Sequence, residues 1–212
     1  GELFAEPGDH VVALTTDAGV LLPLRLRAIP GALGMLDATG PYGYGGAYRP
    51  NHAARRQPDL WSAVARWARR HQVVTAFARM HPFDDELVAT PASCLVDRSV
   101  TVVRTVLDDD EAVLADADRK VRKNVRRAID DGVEVRVAAS TDDFDGFARV
   151  YARTMERRGA PTAYRFDGAF FERLHRELDG GFVYATATLG GEVVSAELVL
   201  HSDRHAYSFL GG

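Results

Sequence analysis

An α+β fold built from two related units, meeting near residues 100–110, is predicted by three features of the sequence. Helix-period and strand-period segments alternate, the order starts afresh after Gly132, and the last third alternates with a period of two between turn dipeptides. The expected boundaries are 1–107 for the first unit and 108–212 for the second. With 212 residues, 46% of them apolar, the chain has enough material to bury a core in each unit.

In the first half, HVVALTTDAGVLLPLRLRAI (10–29) contains two β-rich runs around the turn residues TTDAG and reads as a hairpin. GPYGYGGAYRPN (40–51) is a glycine- and tyrosine-rich loop. Its glycines let a backbone approach a ligand, and Tyr42, Tyr44 and Tyr48 offer stacking faces and hydroxyls; the alternative is a tight loop whose tyrosines plug a core edge. Pro58 to His71 carries Leu60, Trp61, Val64 and Trp67 at helical spacing. VVTAFARM (73–80) and CLVDRSVTVVRTVL (94–107) are expected strands, the latter one or two of them.

The second half opens with an acidic run, Asp108 to Glu111, followed by RKVRKNVRRAIDDG. Six basic residues fall within nine positions, 119–127. At about 100° per residue they span an arc of roughly 160°. Leu114, Ala117, Val121, Val125, Ala128 and Ile129 fill the opposite side, so one amphipathic helix is expected, from an acidic first turn to a left-handed Gly132. Charge runs ordinarily keep a surface wet. The functional alternative is a platform for a polyanion, with Lys120, Arg122, Lys123, Arg126 and Arg127 as phosphate ligands. Next come a strand at 133–138, a helix at about 141–158, the loop GAPTAYR and a helix at about 167–178. The meander GFVYATATL, EVVSAELVLH and RHAYSFL completes the unit. The first residue is Gly1, and nothing follows SFLGG to cover the last strand. The chain therefore reads as a piece of something longer.

Arg153, Arg157 and Arg158 end a helix, where cations suit the dipole whatever the function. Arg165 lies in a loop before a helix start and is a candidate anion ligand. Glu197, alone among apolar residues on an alternating strand, is either a proton acceptor or a paired carboxylate. No phosphate loop, dinucleotide fingerprint, nucleophile elbow or paired zinc-binding histidines are present. His201 and His205 flank a turn, and no metal site is expected. A single cysteine, Cys94, fits a reducing, cytoplasmic setting. No apolar run reaches membrane-spanning length.

Taken in order, KVRKNVRRAIDDGVEV, FARVYARTMERRG, an arginine before a helix, and GGEVVSAELVLHSDRHAYSFLGG resemble the Fem-type (FemAB-like) aminoacyl and acyl transferases. LLPLRLR, PYGYGG and RMHPF are similar to that family's first domain, so the resemblance covers nearly the whole chain. It implies tandem GNAT-like (acyl-CoA N-acyltransferase-like) domains, 1–107 and 108–212, the second incomplete. It also implies transfer of an aminoacyl group from aminoacyl-tRNA to an amine of a small-molecule or peptide acceptor, such as a muropeptide precursor. The family's diphosphate-contacting arginine falls at Arg165, and Arg158, Tyr42, Tyr44 and Tyr207 join it as the expected substrate set. The family's tyrosine four residues on is replaced by Ala169. An acceptor arm of transfer RNA is a polyanion, which suits the basic helix. No cofactor is expected on this reading. Two alternatives stand beside it. A GNAT N-acetyltransferase would use acetyl-CoA, although no [RQ]-x-x-G-x-[GA] loop occurs in residues 1–212. A non-catalytic module would bind RNA or another polyanion.

Overall fold

Alternating residues along HVVALT and LLPLRLRA have two different fates. Leu22, Leu24 and Leu26 are buried, while Arg25 and Arg27 between them reach carboxylates on the other face. This is the start of the first of two units, one ending at Val103 and the other beginning at Arg104. The computed structural model describes residues 8–98 and 100–212; residues 1–7 of the expected first unit and Ser99 of the expected strand at 94–107 lie outside the described residues.

In the first unit, β1 (His10–Thr15) and β2 (Leu21–Ala28) form the expected antiparallel hairpin, with Leu14 opposite Leu22. β3 (Leu36–Thr39) pairs antiparallel with β2, and β4 (Val73–Phe77) runs parallel to β3, after the crossover helix α1 (Pro58–Arg70). β3 was not expected, because LDAT has neither an alternating run nor β-branched bulk before its last residue; its neighbours supply the ladder. On its outer face the Thr75 hydroxyl and the Arg27 guanidinium, 2.8 Å away, bond Asp37 and hold its carboxyl below the usual carboxylate range. α1 buries Leu60, packs Val64, Trp67 and Ala68 on the same core, and donates the Trp61 indole N–H to the Ala89 carbonyl at 2.8 Å.

The expected strand at 94–107 does not form. Its described residues join neither sheet, and Val100 and Val102 are more than 90% exposed. β-branched composition suits a strand but does not provide a partner.

The second unit begins with two helices where the sequence predicts one. α2 (Asp110–Asp116) is capped by Asp109, whose carboxylate accepts from the Glu111 and Ala112 amides. The chain then extends at Ala117 before α3 (Arg119–Asp130). At the break, Arg122 of α3 donates to the Ala115 and Ala117 carbonyls, orphaned by the end of α2. Gly132, at φ +82°, then turns the chain so that the Val133 amide returns to the Ala128 carbonyl at 2.9 Å.

β5 (Glu134–Ala138), β6 (Phe182–Leu189), β7 (Glu192–His201) and β8 (Ala206–Gly211) form an antiparallel sheet in that order. α4 (Phe144–Arg157) and α5 (Gly168–Glu177) intervene in the sequence between β5 and β6. Phe147, Tyr151, Phe171 and Leu174 of these helices and Tyr184, Ala196 and Leu198 of the sheet are the buried core. Phe147 lies 5.0 Å from Tyr184 and 5.6 Å from Phe171, ring centre to ring centre. α4 settles on β7 at Gly146, where a Cβ would stand 2.8 Å from Val193 Cγ2. The opposite sheet face, with Val135 and Val137 of β5, is open to solvent.

Candidate functional site

The loop leaving α4 is fixed at several points. The Gly159 amide bonds the Glu156 carbonyl and the Ala160 amide bonds the Met155 carbonyl, each at 2.9 Å, with Gly159 left-handed at φ +59°. The Tyr151 hydroxyl, rising from the α4 core face, donates to the Tyr164 carbonyl. A 3₁₀ turn at Thr162–Tyr164 closes with the Arg165 amide on the Thr162 carbonyl at 2.9 Å. These bonds set Arg165 just ahead of α5, where Asp167 caps the helix by accepting from the Phe170 amide at 2.9 Å.

A cleft of about 500 Å³ lies between this loop and the two helices, lined among others by Phe144, Tyr151, Met155, Glu156, Arg165 and Phe171. Its walls are aromatic and thioether, and its charged groups are Glu156, Arg165 and the capping Asp167. Arg165 Nε donates to the Ala160 carbonyl at 3.1 Å, which fixes the plane of the guanidinium. Among the described residues, its two terminal nitrogens have no partner. This geometry suits a bidentate anion contact. It is an apolar trough with a few oriented polar groups.

The other expected site residues lie elsewhere. Arg158, one residue beyond α4, does not line the cleft. Tyr207, on β8, lies 6.2 Å from Phe209, whose ring stands 6.4 Å from Phe166 of the cleft wall. Glu197 alternates with buried Ala196 and Leu198, so it occupies the sheet face turned away from α4 and α5, where the Ser208 hydroxyl bonds it. The structure does not bring Glu197 and Arg165 together.

In the first unit, Tyr42 edges a shallow dent with Arg25 and Pro41. Tyr44 lies beneath the Arg79 guanidinium, 4.8 Å from its ring centre, and edge-on to His81. On α3, Lys120, Lys123 and Arg126 have no partner among the described residues. Arg122 is committed to α2 carbonyls, and Arg127 pairs with Asp131 at 3.4 Å. The apolar stripe behind them, Val121, Val125 and Ile129, is exposed.

Sequence reasoning missed Glu156, Met155 and Phe144 as site residues. Phe144, Tyr151 and Met155 fall on one face of α4 together with buried Phe147 and Val150, and the signal available in the sequence is that this apolar stripe is wider than one buried row.

Residues 115–212, a little under half of the chain, match the family model of the acetyltransferase (GNAT) domain. The mixed α/β architecture, with two sheets and five α-helices among the described residues, is consistent with a GNAT-like fold. The second unit is thus similar to the GNAT acyltransferases, and the match supports acyl transfer. No curated protein matches the chain. Among the described residues, no helix is long and apolar enough to cross a membrane, and no cluster of three potential metal ligands occurs.

Proposed function

We propose that the second unit transfers an aminoacyl group from aminoacyl-tRNA to an amine of an acceptor seated in the α4–α5 cleft, a small molecule or peptide of the muropeptide-precursor kind. The observation that carries this reading is Arg165, which lines an apolar cleft with its guanidinium oriented by Ala160 and its two terminal nitrogens without a partner among the described residues. The acceptor amine attacks the ester carbonyl, a C–N bond forms, and the C–O bond to the ribose oxygen breaks. The proton lost by the amine ends on that leaving oxygen. Holding the two reactants in line supplies on the order of 7–11 kcal/mol of the barrier without any enzyme nucleophile.

Lys120, Lys123 and Arg126, which have no partner among the described residues, are suited to the donor's phosphates. Acetyl-CoA is the second reading, favoured by the acetyltransferase description of the matching domain. Its pyrophosphate needs free backbone amides. At the helical starts after β5 and at α5, one such amide each is already taken, that of Asp142 by Ser140 and that of Phe170 by Asp167. A salt titration of binding to charged transfer RNA, alongside a calorimetric titration with acetyl-CoA, separates the two. Steeply salt-dependent RNA binding without CoA heat is expected, and CoA binding without RNA binding overturns the donor assignment.

A further inference from the structure

The cleft contains a charge that an anion site does not need. Glu156 projects from the last turn of α4, and Arg165 stands immediately before the 3₁₀-to-α5 junction. Each is at the helix end where the macrodipole disfavours it: an acid at a C-terminus and a cation beside an N-terminus. The α4 and α5 dipoles therefore favour neither charge, and the one local bond, Arg165 Nε to the Ala160 carbonyl, leaves the terminal nitrogens unused. Among the described residues, neither the Glu156 carboxylate nor the terminal nitrogens of Arg165 have a partner. The two line one cleft without forming an ion pair. The third charged group, Asp167, is occupied in capping Phe170. Phe144, Met155 and Phe171 line the same cleft.

A purely anionic ligand would gain at Arg165 and be repelled at Glu156, and a purely cationic one the reverse. A molecule carrying both charges satisfies both groups, and its apolar part covers the aromatic wall. We propose that the cleft selects a zwitterionic acceptor, an amino acid or short peptide with an apolar side chain, its ammonium at Glu156 and its carboxylate at Arg165. This rests on the reading of the cleft as the acceptor site.

The test is calorimetry of this chain with L-alanyl-L-phenylalanine, its C-terminal amide and its N-acetyl form, in the unmodified protein, Glu156→Gln and Arg165→Ala. The unmodified protein is expected to favour the free dipeptide over each blocked form by about tenfold or more, the scale of one charge-assisted hydrogen bond. Glu156→Gln should lose discrimination against the N-acetyl form alone, and Arg165→Ala against the amide alone. If only Arg165→Ala alters preference, the cleft remains an anion-binding acceptor site and the zwitterion assignment fails. Equal affinity for all three peptides in every protein, or no heat from any of them, overturns both the assignment and the acceptor reading.

Discussion

His175 sits where α5 meets β6, its Nε2 2.7 Å from the hydroxyl of fully buried Tyr184 and its ring 5.3 Å from Phe144. Burial lowers its pKa below the ordinary histidine value and raises that of Tyr184. The folded chain therefore resists protonation that the unfolded chain accepts. Stability is complete above about pH 6.5, the ordinary value, and is lost as pH falls from there toward the depressed value. Chemical denaturation between pH 8 and 5 should show that decline with a slope of less than one proton, and His175→Phe should remove this part of it. Gly146 gives a second prediction at this scale. An added Cβ meets the stiff Val193 side chain at 2.8 Å, so Gly146→Ala should cost about 1–3 kcal/mol in crowding, against at most about 1 kcal/mol gained in helix propensity. Gly168, whose Cβ would meet nothing within 4 Å, is the control: Gly168→Ala should be neutral or stabilising in the same denaturation series.

Among the elements, α3 shows how charge on a helix divides by task. Arg122 closes the joint with α2 and Arg127 pairs within its own turn, leaving Lys120, Lys123 and Arg126 without partners among the described residues. Reversing those three charges should flatten the salt dependence of transfer RNA binding by a slope of about 2 to 3, at roughly 0.7–0.9 per lost phosphate contact. Unchanged salt dependence would make α3 a solvated surface. Arg122→Ala should act differently, loosening the α2–α3 joint. Circular dichroism and amide exchange over residues 113–122 would register that change, with little effect on the salt slope.

At the scale of the whole chain, elements whose pattern and partner are close in sequence were legible. The β1–β2 hairpin, α1, α4, α5 and the closing meander all form within a few residues of where periodicity and turn residues put them. What the pattern could not reveal depends on distant partners. β3 is a strand because β2 and β4 flank it, and 94–107 is not one because nothing pairs with it among the described residues. The acidic run and the basic run look like one helix until Ala117 extends between them. Arg165 was legible as a charge before a helix start. Glu156 was not, because the cleft it shares with Arg165 is created by the loop that folds back from α4.

The unpaired stretch also bears on how the chain meets a protease. A serine protease binds its substrate as an extended strand, and residues 95–98 and 100–107 are already outside any ladder, with Arg98 exposed among them. Arg104, in the same stretch, is held by the Val113 carbonyl and the Asp116 carboxylate, and the exposed arginines further along the second unit lie largely on helices and strands that must first be opened. Limited trypsin digestion should therefore cut after Arg98 first, yielding two fragments separable by mass, the larger beginning at Ser99 and retaining α4, α5 and β5–β8 in one piece. Initial cleavage within α3 or the sheet would mean that this stretch is shielded in solution.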